Sequence, residues 1–305
     1  MLRKLVERHV DLHRAMGFKF RSQRLLLKSF ANFAEQRGDH FVVIQTAIDW
    51  AARAPSPPQR HNRLATVRRF ALAMHAEDSR HRVPSGEVFG RQWFKRRTPY
   101  IYTRQELSRL LRAASELPPP KSVRPIGYFT LLGLLATTGL RVSEALSLTV
   151  GDITDDGLLV RETKFKKSRL VPIHQTTREA LERYMLVRAR CAAGSEVLFV
   201  SRSGRPLNYN TVESTFRRLR CAAGLRSKRG GRKPRMHDLR HTFVVRSLEG
   251  FIGGTRESVA QHMLGVSTYV GHAHVTDTYW YLQATPGLMR QIARSGEALH
   301  LRASP

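Results

Sequence analysis

Cysteine is almost missing from this chain of 305 residues: there are two, Cys191 and Cys221. Two thiols cannot build a disulfide framework, and neither has neighbours at metal-ligand spacing. Each opens a Cys-Ala-Ala-Gly tetrapeptide, a coincidence at two helix ends rather than a repeat. Acidic residues are scarce as well, with 24 Asp and Glu against 52 Lys and Arg, a formal charge of +28. Such an excess repels itself without an anionic partner, and nucleic acid is the usual one. Charge alone does not choose a function, because a ribosomal-type binder or a membrane-surface protein would carry it too. Long apolar runs are also lacking. The longest, from Phe129 to Leu140, is broken by Thr and Gly and is too short to span a bilayer. No apolar stretch follows the charges of Met1-Leu2-Arg3-Lys4-Leu5, so no signal peptide is expected and the chain reads as cytoplasmic. A Gly-x-x-x-x-Gly-Lys-Ser/Thr string is absent, which argues against phosphate-loop nucleotide chemistry.

What is present divides into two parts, and the length suffices for two cores. Residues 1–81 read as short helices. Leu2, Leu5, Val6, His9 and Val10 recur at helical spacing, as do Leu25, Leu26, Phe30 and Phe33 before Gly38-Asp39. Ile44 to Ala52 follows, then Pro55-Ser56-Pro57-Pro58 as a breaker, then a helix from Arg60 to His75. Leu72 counts among the apolar residues of that last helix, and Arg60, Arg63, Arg68 and Arg69 interleave with them. Exposed arginines there would suit a DNA-clamping module, and solvated charges on an ordinary helical domain fit equally well. Residues 82–102 lose the periodicity and gather Arg91, Lys95, Arg96 and Arg97, the pattern of an extended basic linker along a phosphate backbone.

The second part, 103–305, opens with a capping box, Thr103 to Glu106. A buried helix is expected from Pro125 to Thr137. After Asp155-Asp156-Gly157, two strands at 157–161 and 169–173 flank a basic hairpin tip that carries Lys164, Lys166 and Lys167. Helices resume at 177–190 and 209–223, the latter capped by Asn208 or Asn210. A basic loop of residues 226–235 then leads to His237.

Five residues of this part, Arg141, His237, Arg240, His272 and Tyr281, form a kit for phosphodiester chemistry. Arg141, in Thr138-Gly139-Leu140-Arg141-Val142-Ser143-Glu144, emerges at a helix junction with a fork that matches two phosphate oxygens. Glu144 lies near enough to orient it. Taken alone, an Arg beside a Glu is usually a surface ion pair. His237, Arg240 and His241 stand at i, i+3 and i+4 in His237-Asp238-Leu239-Arg240-His241 and share one helix face. Imidazole moves protons near neutral pH, and guanidinium stabilises charge that grows in a transition state. A metal site is disfavoured there, because arginine is not a ligand and no carboxylate or cysteine set accompanies the histidines. His272 follows Gly271. Thr278-Tyr279-Trp280-Tyr281-Leu282 then offers two phenols, which need cationic neighbours to attack at neutral pH. Without such company aromatic clusters of this kind are ordinarily core, and Tyr279 reads as the core-facing member.

In this order and spacing, these motifs resemble those of the tyrosine recombinase, or phage integrase, family, Xer-like members included. The resemblance covers most of the second part. It implies that Arg141 and Arg240 are the family's two arginines, His237 and His272 its histidines, and Tyr281 its nucleophile, nine residues beyond His272. Lys164 matches the hairpin lysine, because Thr-Lys-Phe-Lys-Lys-Ser-Arg-Leu-Val-Pro resembles Gly-Lys-Gly-x-Lys-x-Arg-x-Val-Pro, although Thr163 and Phe165 replace the glycines and leave Lys166 as the alternative. The segment from Leu248 to Leu264 is longer than in compact Xer proteins. The implied fold is mainly α: a helical, SAM-like core-binding domain over 1–81, a linker over 82–102, and over 103–305 a mostly α catalytic domain with a small antiparallel sheet and a C-terminal helix. The two domains would close as a C-shaped clamp on DNA. The implied activity is site-specific cutting and rejoining of DNA through a 3′-phosphotyrosyl link, with no cofactor and no metal. The implied partners are double-stranded DNA bearing specific recombination sites and three further copies of the chain in a homotetramer on DNA, with a monomer allowed in solution and no membrane. A type IB topoisomerase and a non-catalytic DNA-binding regulator on the same fold are the alternatives.

Overall fold

In the amino-terminal part every helix buries one stripe. Leu2, Val6 and Val10 are fully buried on α1 (Leu2–Ala15), a spacing of four that keeps one face inward. They meet Leu27, Phe30, Ala31 and Ala34 of α2 (Arg21–Gln36), Ala47, Trp50 and Ala51 of α3 (Ile44–Ala52), and Leu64, Val67, Phe70 and Met74 of α4 (Pro57–Glu77). Burial of Phe30 or Phe70 stabilises this core by about 2–3 kcal/mol each. Leu25 and Leu72 instead face solvent. The molecule is described from a computed structural model for residues 1–90, 98–161, 168–192, 194–225, 233–250, 256–272 and 274–282. It divides into two compact units, Met1–Arg96 and Arg97–Pro305.

Three details depart from the sequence reading of the first unit. Pro57 and Pro58 do not break α4 but start it, since a proline in the first turn has no intrahelical N–H bond to lose. Arg60 and Arg63 are tied inward to the carbonyls of Ala54 and Trp50, so they are not a free cationic row. The proposed linker also begins too early. Residues 81–90 fold onto the first unit: Arg82 N–H donates to the Val42 carbonyl, Val42 N–H donates to His81 Nδ1, and Val83 and Phe89 pack on the core. Likewise Tyr102 is buried in the second unit, its N–H bound to Thr242 Oγ1 at 3.0 Å and its hydroxyl donating to the Arg235 carbonyl at 2.9 Å. Of the expected linker, residues 91–97 lie outside the described residues.

The second unit is mainly α with one small sheet. Thr103 caps α5 (Arg104–Ser115) in a reciprocal box with Glu106. Its centre is α6 (Val123–Thr138), apolar nearly all round, with ten residues buried among the neighbouring helices. Short α7 (Val142–Ser147) leads to an antiparallel sheet of β1 (Ile153–Thr154), β2 (Gly157–Val160) and β3 (Arg169–Val171) in that order. Leu158 pairs with Val171 and Val160 with Arg169. The two-residue β1 is too short to leave a periodic signal, so Asp155-Asp156 turns out to be a hairpin turn within the sheet. The chain continues through α8 (Gln175–Ala192), α9 (Tyr209–Ala222), α10 (His237–Glu249), α11 (Arg256–Val270) and α12 (Thr276–Leu282). Asn208, not Asn210, caps α9 by accepting from Thr211 N–H at 2.8 Å. No helix among the described residues is long and apolar enough to cross a membrane.

Candidate active site

Two left-handed glycines set the site. Gly139 ends α6 at φ +62°, and a Cβ there would lie 2.5 Å from the Phe243 ring. Gly271 ends α11 at φ +69°, and a Cβ there would lie 2.7 Å from the Arg169 guanidinium. Left-handed backbone is open to glycine at little steric cost, and here the missing side chain also lets neighbours approach. The carbonyls at these two helix ends then take hydrogen bonds from the arginines. Arg240 donates from Nη1 to the Gly139 carbonyl at 2.7 Å and from Nη2 to the Val270 carbonyl at 2.8 Å. Arg141 donates from Nη2 to the Gly271 carbonyl at 3.0 Å.

Glu144 locks the arrangement. Its carboxylate accepts from Arg141 Nη1 at 2.7 Å and the Arg141 N–H at 2.9 Å, and from Arg169 Nη2 at 2.9 Å. Burial alone pushes the Glu144 carboxyl up. The bonds from Arg169 and Arg141 outweigh that and hold it below the usual carboxylate range. Arg169 reaches on to the Tyr269 carbonyl at 2.9 Å, joining β3 to the end of α11. Three guanidiniums (Arg141, Arg169, Arg240) against one carboxylate leave a local charge of 3 − 1 = +2.

Arg240 itself is only 2% exposed. Desolvation first, then the Arg141 charge, lowers its pKa to about 10, which still leaves it cationic at neutral pH. His237 opens α10, its exposed ring edge-on to His241 at 4.7 Å. Desolvation and the Arg240 and Arg235 charges lower its pKa. His272 sits just past Gly271, bonded through Nδ1 to Thr278 Oγ1 at 2.8 Å. Desolvation, then Arg240 and Arg141, bring its pKa to about 4.

Tyr281, on α12, is 4% exposed and stacks on His272 with ring centroids 6.0 Å apart. Its hydroxyl lies 2.7 Å from His241 Nδ1. Tyr279 is half exposed, so the core-facing phenol is Tyr281 and the sequence reading of Tyr279 is reversed. Residues two apart on a helix point to opposite sides, and packing against α10 selects the second.

The structure thus brings Arg141, His237, Arg240, His272 and Tyr281 into one cluster. Lys164 and the alternative Lys166 lie outside the described residues. Sequence reasoning left Arg169 off the site, and put His241 on the face of His237 and Arg240 without giving it a role. His241 had a signal, one turn beyond His237 on the same face. Arg169 had only its place in the Arg-x-Val-Pro string.

The low histidine pKa values carry a stability consequence. His272 at about 4 and His241 at about 3 sit below the ordinary 6.5, so the unfolded chain binds their protons first as pH falls. Stability is therefore full above pH 6.5 and is lost toward pH 4. Between pH 7 and pH 5 the loss is roughly 1–2 kcal/mol for each histidine. Chemical denaturation across that range checks it, and a flat profile contradicts it.

The phage integrase family model matches residues 101–287. A putative integrase/recombinase of Sinorhizobium fredii, y4rB, is 37% identical over 304 residues, covering 96% of each chain. The crystal structure of XerH site-specific recombinase bound to palindromic difH substrate, a post-cleavage complex, aligns with TM-score 0.67 at 17% identity. It covers 90% of this chain and 78% of that one. A lambda integrase tetramer bound to a Holliday junction aligns with TM-score 0.63 at 18% identity, covering 91% and 76%. The chain belongs to the phage integrase family of tyrosine recombinases, enzymes that cleave and rejoin DNA strands.

Proposed function

We propose that the chain is a site-specific recombinase that works through a 3′-phosphotyrosyl link formed by Tyr281. The observation that carries this reading is the +2 cluster beside a buried phenol. A phosphodiester brings a charge of −1 and its pentacoordinate transition state about −2, so the cluster is matched to the transition state rather than the ground state. Arg141 and Arg240 hold the two non-bridging oxygens. Both forks are already aimed by backbone carbonyls and Glu144, so little reorganisation is left for the reaction. Tyr281 attacks phosphorus, the bond to the leaving 5′-oxygen breaks, and Lys164 supplies that oxygen's proton. His237 handles the proton of the nucleophile, and His272 adds a hydrogen bond to the phosphate. Because the covalent link keeps the energy of the phosphodiester, rejoining needs no nucleotide.

The test is a duplex selected by the protein from a pool of genomic fragments and nicked beside the cleavage position. Loss of the short fragment should trap the protein covalently on the 3′ end. Absence of any adduct on a verified binding site would return the chain to a DNA-binding regulator. Relaxation of plasmids without site dependence would point to a type IB topoisomerase.

The first unit and the segment before the second, we further propose, bind the same duplex, and four copies assemble on two sites. The lambda integrase tetramer on a Holliday junction supports the stoichiometry. The expected C-terminal helix, where Leu288, Met289, Ile292, Ala293 and Leu299 recur near helical spacing within residues 285–301, lies outside the described residues. Docked into a neighbouring copy, that segment would couple the position of Tyr281 to assembly. Deletion after Pro286 should leave single-site binding within about threefold in a gel shift but abolish recombination. Full recombination by the truncated protein would contradict the assembly.

A further inference from the structure

His241 has no part in the roles just assigned, yet its ring touches the reacting atom. It lies on α10, next in sequence to Arg240 and one turn beyond His237. Its Nδ1 stands 2.7 Å from the Tyr281 hydroxyl, across the contact between α10 and α12. The imidazole is clamped by aromatic edges, His237 at 4.7 Å on one side and Trp280 at 5.7 Å on another. Trp280 also packs edge-on to Tyr281 at 5.1 Å, so both partners of the hydrogen bond rest against one aromatic ring.

We propose that His241, in its Nε2–H tautomer, is a positioning residue for the nucleophile: its Nδ1 accepts a hydrogen bond from the Tyr281 hydroxyl and sets the direction of the phenol oxygen's lone pairs. A phenol 4% exposed needs a partner for its O–H, because a buried donor without one is costly. A rotating hydroxyl would also present its lone pairs to phosphorus in only a fraction of its orientations. Fixing the proton on one side leaves both lone pairs on the other, which is the requirement for in-line attack. The same bond carries a registration. Arg240 is held by the carbonyls of Gly139 and Val270, and His241 is the next residue of the same helix turn. The phenol is thereby indexed to the guanidinium that holds the phosphate, even though the two come from different helices. In the resting site His241 is uncharged, pushed down to about 3 by desolvation and the His237, Arg235 and Arg240 charges around it. As the O–P bond forms and the phenol oxygen turns acidic, the bond to His241 breaks and the proton passes to His237.

The inference rests on Tyr281 being the nucleophile, and its test separates the two. Four variants are compared on the nicked duplex selected by wild type, with adduct formation rate and DNA affinity measured in parallel. His241→Asn places an amide oxygen where Nδ1 stands and should keep the rate within about threefold. His241→Phe keeps a ring but no acceptor, and His241→Gln carries its amide too far, toward the Nε2 position. Both should slow adduct formation by about 10- to 100-fold with affinity changed less than about twofold. Tyr281→Phe is the control for the nucleophile. Wild-type rates in His241→Phe overturn the inference, as does an Asn variant as slow as the Phe variant, since only ring packing would then matter. Adduct that persists in Tyr281→Phe overturns the nucleophile assignment instead.

Discussion

Tyr281→Phe should abolish covalent capture of nicked DNA, a fall of at least about 1,000-fold that reaches the detection limit. The change removes one oxygen from a residue that is 4% exposed and leaves the ring stacked on His272 and edge-on to Trp280. Packing survives. The cost to folding is about 1 kcal/mol, because His241 Nδ1 loses the hydroxyl it faces at 2.7 Å. Affinity for DNA should change little, since no cation is removed. Tyr279→Phe should leave capture intact, because that phenol points to solvent on the opposite side of α12. Capture, affinity and thermal melting of both variants check the prediction, and a Tyr279-dependent adduct contradicts it.

Arg240→Lys should be the second most damaging change that spares the fold. Lysine keeps the charge but cannot donate at once to the Gly139 and Val270 carbonyls and to two phosphate oxygens. Cleavage should fall by about 100- to 1,000-fold, the range seen when one preorganised donor to a developing oxyanion is lost. Binding should weaken far less, since the phosphate contacts elsewhere remain. Arg240→Ala goes further and strips two carbonyls at helix ends of their charged donors inside the protein. A loss of about 2–4 kcal/mol in stability then accompanies the loss of activity. Single-turnover cleavage and denaturant unfolding separate these effects, and an Arg240→Lys enzyme of wild-type rate contradicts the role.

How much of this was legible in the sequence depends on the range of the interaction. The capping box at Thr103, the buried α6 and the pairing of β2 with β3 are local or periodic, and they stand where the pattern puts them. The mainly α fold with a small sheet follows. What could not be read is non-local. Nothing in the neighbourhood of Gly139 or Gly271 announces that their carbonyls receive arginines 101 and 130 residues away in sequence. The basic stretch after Arg80 reads as linker by composition, yet the Arg82–Val42 bond and the burial of Tyr102 attach its ends to the two units. Composition cannot register such pairings. Tyr279 and Tyr281 are a mixed case: the resemblance picks Tyr281 by its spacing from His272, but which phenol faces inward depends on the face of α12 that meets α10.

Identification of the residue that carries DNA after trapping tests the central claim most directly. The adduct on nicked duplex is digested with protease and nuclease, and the peptide that bears a residual nucleotide is sequenced by mass spectrometry. The account predicts a single modified peptide, with Tyr281 joined through its phenol oxygen to a 3′-phosphate. A nucleotide on Tyr279, on any serine, or on a 5′-phosphate would contradict it.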